Sequence, residues 1–529
     1  MSTMYTMYTL VISLTLILSL TSAAPPVVDA PAGRMSGVLL EATQVRAFYN
    51  IPFAEPPTGA LRWMPPVAKG VWNGTMALGE SKAIGCPQRC FLPPHPCPPT
   101  TSEACLTLNV FAPLAASNAP VMIFMPGGHF QQGLADVPVY NGQYLANATG
   151  VVVVTINYRL GALGWLVTDE LEGNFGFLDQ QLALKWVADN VAAFGGNPSR
   201  RTLMGQSAGA GSLAAHLIAP SSAPLFEQAV VMSSTIGLAI SNPKYGAQLG
   251  ALVMANMSCK TTECMRGKPV ASVLEAEYAS QSHLFVDHPL SVFLPWNVNK
   301  AGPVPDNQLT AMRAGKVQRK PMIMGNVANE GVIFIYDAVQ HPLSKTEYEA
   351  IVAGVFGLHA PRVLDLFPGN VIDSRVPMSH LATYYVMICP QRYAMEAMAQ
   401  NAPVYAYLFD HPWSFARSGW GANYTFCFHQ VCHGSGLPFM FSVVRGPSPA
   451  EPVFTPDELE LSEQMLAYWG NFAHSGNPNS GPFAPSAAWP SFDAPGKPEL
   501  IFQTAGEGGI HPVDNFAATA CDYFDSIGY

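Results

Sequence analysis

The sequence predicts an α/β fold in which helices cover both faces of a central sheet. Two apolar runs rich in branched side chains, Val121–Met125 and Val151–Ile156, lack polar alternation, as fully buried strands do. Apolar residues recur at helical spacing from Asp179 to Phe194. A third strand is predicted at Arg201–Met204, and a glycine-bounded serine and a helical stretch from Ala208 follow it. This strand, turn and helix order is the setting of a catalytic serine in α/β enzymes.

Composition indicates a globular chain with a large core. Of the 529 residues, 49% are hydrophobic and only 12% are charged. The net charge of −10 provides no basic stripe for nucleic acid or for an anionic membrane surface, so we expect a small-molecule partner. Length alone does not decide between one domain and three.

The amino terminus is predicted to be a signal peptide over residues 1–23. An apolar run from Leu10 to Ala23 is short for a membrane span and ends in small residues. Cleavage after Ala23 is preferred, because cleavage after Ala24 would leave Pro25 first. No Lys or Arg precedes the run, so a buried strand or an uncleaved anchor stays an alternative.

Further features favour a secreted, soluble product without a membrane anchor. The chain has ten cysteines, an even number, and its carboxyl end carries neither an apolar anchor nor a lipidation signal. Four Asn-X-Ser/Thr acceptors predict glycosylation at Asn73, Asn147, Asn256 and Asn423.

Ser207 is the candidate nucleophile. It lies in Gly205-Gln206-Ser207-Ala208-Gly209, where the glycines permit a sharp turn and close packing of strand against helix. A serine hydroxyl is a poor nucleophile at neutral pH, so a base and a group that orients the base are required. The short motif also occurs by chance in proteins that are not hydrolases.

Longer motifs carry a more specific resemblance. The segment FGGNPSRRTLMGQSAGAGS resembles the serine region of the type B carboxylesterase and cholinesterase family, and the similarity extends along nearly the whole mature chain. Other matching segments, in chain order, are Ala47–Pro66, Ser102–Pro113, Ile156–Leu166, Met324–Gly331, Cys432–Phe441 and Tyr468–Asn479. The resemblance implies an α/β-hydrolase fold, with a large, mostly parallel sheet flanked by helices, as one domain over residues 24–529.

The resemblance also supplies the partners of Ser207. Glu330 matches the acidic group that orients the base, and His433 matches the general base. Their order along the chain, serine, acid and histidine, is the one expected for this fold. An ordinary loop histidine and a helix-capping carboxylate are the structural alternatives for these two residues.

The expected oxyanion hole comprises the backbone N–H groups of Gly128, His129 and Ala208. The family usually has His-Gly-Gly-Gly in the turn after the first buried strand, whereas this chain has Pro126-Gly127-Gly128-His129. The side chain at His129 puts the donor set and the acyl pocket in doubt. Its ring points either toward the site or into the core, and we assign it no proton-transfer role.

Departures from the family pattern favour a neutral ester over acetylcholine. No Trp lies between Cys86 and Ser102, Gln206 replaces the usual Glu, and Gly436 replaces a frequent Glu. Loss of aromatic and negative groups removes the means of binding a quaternary ammonium. Phe293–Trp296 aligns loosely with the acyl-site segment, although aromatic residues at such spacing are more often core.

The resemblance implies three disulfides and two structural ion pairs. The bridges are Cys86–Cys105, Cys259–Cys264 and Cys389–Cys521, and the ion pairs are Arg62–Glu103 and Arg159–Asp179. Cys90 with Cys97, and Cys427 with Cys432, stay plausible local pairs. A zinc site at Cys427, Cys432 and His433 is disfavoured because no second ligand pair has suitable spacing, so we expect no metal and no cofactor.

The expected activity is hydrolysis of carboxylic esters through an acyl-enzyme. Cholinesterase or lipase activity on the same triad is an alternative that motifs cannot separate. A non-catalytic adhesion or binding protein of the same fold is a second class. Such relatives typically lose a triad residue, whereas this chain retains all three.

Overall fold

The computed structural model describes residues 24–91, 97–238, 243–281, 293–444 and 453–529. The predicted signal peptide, residues 1–23, lies outside the described residues. The strands are β1 Val27–Ala30, β2 Gly33–Ser36, β3 Val38–Leu40, β4 Val45–Pro52, β5 Thr75–Ala77, β6 Ile84–Gly85, β7 Thr100–Thr101, β8 Thr107–Pro113, β9 Ala119–Met125, β10 Val152–Ile156, β11 Gly196–Gln206, β12 Gln228–Met232, β13 Met322–Val327, β14 Val404–Phe409, β15 Glu499–Phe502 and β16 His511–Val513.

Eleven of these strands form the central sheet, in the order β16-β15-β14-β13-β12-β11-β9-β10-β8-β4-β3. Pairing is parallel from β15 through to β10 and antiparallel at both edges. The prediction of a large, mostly parallel sheet in an α/β-hydrolase fold is confirmed.

Helices lie against both faces of the sheet. They are α1 Gln143–Thr149, α2 Gly161–Trp165, α3 Phe175–Asn190, α4 Ala208–Ile218, α5 Pro243–Asn256, α6 Thr262–Arg266, α7 Val270–Gln281, α8 Gln308–Arg313, α9 Val332–Ala338, α10 Lys345–Phe356, α11 Ala360–Leu366, α12 Arg375–Ala382, α13 Cys389–Met398, α14 Ala416–Trp420, α15 Leu437–Phe441, α16 Pro456–Ser475 and α17 Ala518–Ile527. A π-helical segment, Thr383–Ile388, joins α12 to α13.

The absence of polar alternation in β9 has a direct structural cause. Val121 and Ile123 belong to one hydrophobic core, whereas Met122 and Phe124 belong to the other. Side chains of a strand alternate between the faces of a sheet, so a strand covered on both faces needs apolar residues at every position. The apolar run in the sequence therefore marks the middle of the sheet.

The predicted element boundaries differ from the observed ones by a few residues. The strand predicted at 201–204 extends over Gly196–Gln206, with a register irregularity between Gly196 and Arg201. The helical stretch predicted at 179–194 begins earlier, at Phe175, and changes to a 3-10 turn at Val191. A left-handed Gly195 ends that turn, so the chain reverses into β11.

Helix α16 begins at a buried charged cluster. The Thr455 hydroxyl accepts a hydrogen bond from the Glu458 N–H at 3.2 Å, and Glu458 Oε2 accepts one from the Thr455 N–H at 2.8 Å. His411 lies between two carboxylates, with Nε2 3.1 Å from Glu458 Oε1 and Nδ1 2.7 Å from Glu507 Oε2. Burial opposes charge on His411, but these hydrogen bonds outweigh burial and raise its pKa. Burial likewise opposes the charge of Glu458, and its hydrogen bonds lower its pKa to about 2.

Five disulfides cross-link the described chain. They are Cys86–Cys105, Cys90–Cys97, Cys259–Cys264, Cys389–Cys521 and Cys427–Cys432. The last bridge joins the two sulfurs of the disfavoured zinc site. Cys389–Cys521 ties α13 to the carboxyl-terminal helix α17.

The two ion pairs that the resemblance implies are present, Arg159–Asp179 fully buried and Arg62–Glu103 partly buried. Arg62 contacts both carboxylate oxygens of Glu103 at 2.7 Å, and Arg159 contacts both oxygens of Asp179 at 2.8 Å. Within the described ranges, no helix is long and apolar enough to cross a membrane.

Candidate active site

Ser207 occupies a strained turn between β11 and α4. Its φ of 58° and ψ of −123° lie outside the regions that L-residues normally adopt. The backbone holds this conformation, since the Ser207 N–H donates to the Met232 carbonyl at 3.0 Å and the Ser207 carbonyl accepts from the Gly211 N–H at 2.9 Å. The turn thus supports a side chain positioned by the sheet and the helix together.

The two glycines beside Ser207 are required by backbone contacts. A methyl group on Gly205 would overlap the carbonyl oxygen of Gly209, and one on Gly209 would overlap the carbonyl oxygen of Met125. Backbone atoms of a central sheet cannot move aside as a flexible side chain can. The glycines therefore allow β11, α4 and the end of β9 to approach one another.

Glu330 and His433 meet although 103 residues separate them. His433 Nδ1 lies 2.5 Å from Glu330 Oε2, and Glu330 Oε1 accepts a hydrogen bond from the Val327 N–H at 2.9 Å. A carboxylate only accepts hydrogen bonds, so Nδ1 carries the proton in the neutral ring. Nε2 then carries the lone pair that a general base requires.

Gln206 contacts the histidine directly, which the sequence did not indicate. Its Nε2 lies 3.1 Å from His433 Nε2. Because Nδ1 carries the ring proton, the Gln206 amide N–H donates to the same lone pair that a serine proton would reach. Gln206 therefore competes with the Ser207 hydroxyl for this lone pair, and its amide adds no charge to the site.

The turn after β9 lies directly against Ser207. A methyl group on Gly127 would lie 2.9 Å from Ser207 Cβ. Gly128 has a φ of 118°, and its carbonyl accepts from the N–H groups of Gln131 and Gln132. Ala208 is the first residue of α4, where helix N–H groups lack partners within the helix. All three predicted oxyanion donors thus come from turns or helix ends that border Ser207.

The His129 ring lines two cavities beside the site. It stacks on Phe334 with ring centroids 5.3 Å apart, and Phe91 contacts it edge-on at 5.7 Å. Burial, and to a smaller extent the charge of His433, lower the pKa of His129 to about 4. The ring is therefore neutral at physiological pH, and the core alternative does not describe its position.

The two cavities meet at three aromatic side chains, His129, Phe293 and Phe334. One cavity has a volume of about 160 Å³, and its lining is almost wholly apolar. The other measures about 340 Å³ and includes polar side chains such as Asp337 and Gln131. Phe293 thus faces both cavities, whereas Trp296, in the same predicted acyl-site segment, is core.

Phe334 is the main site residue that sequence reasoning missed. It follows Glu330 by four residues and also contacts the His433 ring, with centroids 5.0 Å apart. Spacing of four residues places side chains on one face of a helix, which could have indicated it. The short helix α9 begins only at Val332, so this signal was weak.

Comparisons with known proteins agree with this fold. The profile of the carboxylesterase family matches residues 24–360 and 366–517. A solved structure titled thermophilic pNB esterase superposes with a TM-score of 0.79 at 27% identity, covering 94% of this chain and 99% of that one.

Three curated relatives also align along most of the chain. The cAMP-regulated D2 protein of Dictyostelium discoideum is 36% identical, with 87% of this chain and 86% of the relative covered. The Crystal protein of the same organism is 33% identical, with coverage of 92% and 88%. Acetylcholinesterase of Bungarus fasciatus is 30% identical, with coverage of 88% and 81%. With matches of this extent, the chain belongs to the carboxylesterase family and is a carboxylic ester hydrolase.

Proposed function

We propose that the protein hydrolyses neutral carboxylic esters through an acyl-enzyme, with Ser207 as nucleophile, His433 as general base and Glu330 as the group that orients it. The observation that carries this proposal is the 2.5 Å contact between Glu330 and His433 Nδ1, beside a serine in a strained turn. This contact leaves His433 Nε2 as the proton acceptor that the reaction needs.

The reaction takes two steps. His433 Nε2 accepts the Ser207 proton as Oγ bonds to the ester carbonyl carbon, and the resulting oxyanion accepts hydrogen bonds from the N–H groups of Gly128, His129 and Ala208. His433 then gives its proton to the departing alcohol as the C–O bond breaks. Water, deprotonated by His433, then attacks the acyl carbon, the bond to Ser207 Oγ breaks, and His433 returns its proton to Oγ as the acid leaves. Each oxyanion donor contributes on the order of 3 to 4 kcal/mol.

The groups that face His433 Nε2 and line the smaller cavity are uncharged, which supports neutral esters. Gln206 donates an uncharged amide N–H to His433, and the His129 ring, with its pKa of about 4, is neutral at pH 7. The smaller cavity has an apolar lining. A quaternary ammonium would gain little in the smaller cavity, and in the larger one Asp337 is the single carboxylate among the described lining residues.

Secretion and glycosylation form part of the proposal. Five disulfides suit an oxidising compartment. All four sequon asparagines, Asn73, Asn147, Asn256 and Asn423, are exposed to solvent. We propose a mature product of one domain over residues 24–529 after removal of residues 1–23.

A fluorophosphonate probe and p-nitrophenyl acetate test the proposal. Wild type should be labelled and should hydrolyse the ester, and Ser207→Ala should do neither while unfolding at the same temperature. If wild type and Ser207→Ala behave alike in both assays, the mechanism is wrong.

The preference for neutral esters has its own test. S-(3,3-dimethylbutyl) thioacetate has the shape of acetylthiocholine without its charge. The neutral thioester should have the higher kcat/KM. A higher value for acetylthiocholine would overturn the preference and favour cholinesterase activity.

A non-catalytic role is the second candidate. The names of the two Dictyostelium relatives, cAMP-regulated D2 protein and Crystal protein, state no enzymatic activity. This candidate predicts that the probe does not label wild type and that no ester is turned over.

A further inference from the structure

We infer that the 160 Å³ apolar cavity is an open-ended tunnel for the acyl chain, so that the substrates are esters of medium-chain and long-chain aliphatic acids. This inference rests on the proposed function and adds the substrate class. It depends on where the cavity begins, where it ends, what lines it and how much it holds.

The inner end of the cavity is separated from the candidate triad by the Phe334 side chain, and Ser207, Glu330 and His433 do not themselves line it. Gly331, directly after Glu330, is part of the wall, and so are His129 and Phe334. Phe334 contacts both histidine rings, at 5.3 Å for His129 and 5.0 Å for His433. A chain attached through Ser207 would thus enter the cavity past Phe334, which contacts the base.

The outer end reaches the protein surface at α10. Ile351 and Val355 line the cavity, yet they are 43% and 40% exposed. Val352, between them, is only 1% exposed and lines the interior. Leu358, two residues after the end of α10, is 97% exposed. An emerging chain would therefore meet apolar side chains at the exit.

The lining excludes charged acyl groups. Its walls come from α9, α10, α12 and the π-helical segment, and the lining residues that the structure describes include no Asp, Glu, Lys or Arg. His129, which borders the entrance, is neutral at pH 7 because its pKa is about 4. An unpaired carboxylate or ammonium at the end of an acyl chain would lose its hydration there without compensation.

The volume indicates how much of the chain is enclosed. An apolar cavity of about 150 Å³ accommodates benzene, which has six carbons. The 160 Å³ cavity should thus enclose roughly six chain carbons, and further carbons would emerge at α10. Each enclosed methylene should raise kcat/KM about fourfold, and methylenes beyond the exit should add little.

The second cavity suits the alcohol. The alcohol departs before the acid and needs a route to water, and the 340 Å³ cavity is larger and includes Asp337, Gln131 and Tyr278. The acyl group stays bound through Ser207 until hydrolysis. The apolar cavity is therefore the better site for the acyl chain.

A chain-length series from p-nitrophenyl acetate to the decanoate tests the tunnel. Wild type should gain about fourfold in kcat/KM per methylene up to roughly six carbons and then stay within about threefold. Val386→Phe, which fills the cavity, should lower kcat/KM at least tenfold for the hexanoate and longer esters. It should lower kcat/KM less than twofold for the acetate. Val355→Trp, at the exit, should lower kcat/KM about fivefold for the octanoate and the decanoate and leave the shorter esters unchanged. Val371→Trp is the control, because Val371 is 85% exposed and does not line the cavity.

The outcomes separate this inference from the proposed function. If kcat/KM of wild type stays flat or falls with chain length, or if Val386→Phe loses as much for the acetate as for the octanoate, the tunnel is wrong. Labelling by the fluorophosphonate probe would still support the triad in either case. A second measurement, which does not depend on catalysis, is the binding of 1-octanol by calorimetry. Binding to Val386→Phe should be about tenfold weaker than to wild type, and equal binding would also refute the tunnel. Missing labelling and turnover would instead refute the proposed mechanism.

Discussion

Replacing Glu330 by Gln tests the tautomer of His433 with almost no change in shape. Two N–H donors converge on the carboxylate, one from Val327 at 2.9 Å and one from His433 Nδ1 at 2.5 Å. Glutamine offers one acceptor and one NH₂ group. While His433 keeps its proton on Nδ1, the NH₂ group must face a donor in either orientation of the amide. That donor is the Val327 N–H in one orientation and the Nδ1–H group in the other.

The imidazole resolves this conflict by moving its proton. With the amide oxygen toward Val327, the NH₂ group donates to Nδ1, and the ring proton moves to Nε2. The opposite orientation would leave the Val327 N–H facing a donor at a fully buried site, at a cost of about 1 to 3 kcal/mol. An Nε2–H ring cannot accept the Ser207 proton. The corresponding acid-to-amide change in a serine protease triad lowers kcat about 10⁴-fold, or about 5 kcal/mol.

Steady-state hydrolysis of p-nitrophenyl acetate measures this loss. We expect Glu330→Gln to lose 10³-fold to 10⁴-fold in kcat with little change in melting temperature. Glu349→Gln is the control, because Glu349 pairs with Lys345 at 3.7 Å on the surface, away from the candidate site. A folded Glu330→Gln enzyme with more than a tenth of wild-type kcat would refute the assignment of Glu330.

Three further predictions concern stability. Gly209→Ala should lower the free energy of unfolding by about 3 kcal/mol or more in urea melts, whereas Gly354→Ala, in an open part of α10, should raise it by up to about 1 kcal/mol. A loss below 1 kcal/mol at Gly209 would contradict the backbone-contact argument. The pKa of Glu458 in the folded protein, about 2, lies below its ordinary value of 4.5, so its stabilisation is full above pH 4.5 and is lost as the pH falls toward 2. The stability difference between wild type and Glu458→Gln, followed by urea melts across pH, should therefore shrink below pH 4.5, and a constant difference would refute this. Removing Cys389–Cys521 by a double Cys→Ser change should cost about 5 kcal/mol of unfolding free energy, because this bridge closes a loop with a sequence separation of 132. A cost below 1 kcal/mol would show that the bridge does not restrain the unfolded chain.

The sequence predicted best those features that backbone geometry dictates. A strand buried on both faces requires an unbroken apolar run, and the turn at Ser207 requires glycines at 205 and 209, so both leave marks in the sequence. Boundaries were less accurate because helix α3 and its 3-10 extension share one apolar pattern. The contact between Glu330 and His433, which lie 103 residues apart, rested on resemblance alone.

The substrate cavity was not predictable because its walls look like ordinary core. Val352 lies on α10, Met378 and Leu381 lie on α12, and all three occur at the helical spacing of any buried face. Whether such faces close on one another or leave space depends on how the helices pack. A single sequence does not contain that information in any local pattern.

The two parts of the site are held by different kinds of contact, so they can change independently. Around Ser207 the close contacts of Gly205 and Gly209 are to backbone oxygens, and any larger residue there would displace the sheet. Along the cavity the contacts are between side chains, where swaps that conserve volume typically cost less than about 1.5 kcal/mol. Substitutions at Val386 or Val355 can therefore alter the preferred chain length while the turn at Ser207 is unchanged. For this reason the chain-length profile, rather than any catalytic motif, is the measurement that identifies the ester this enzyme hydrolyses.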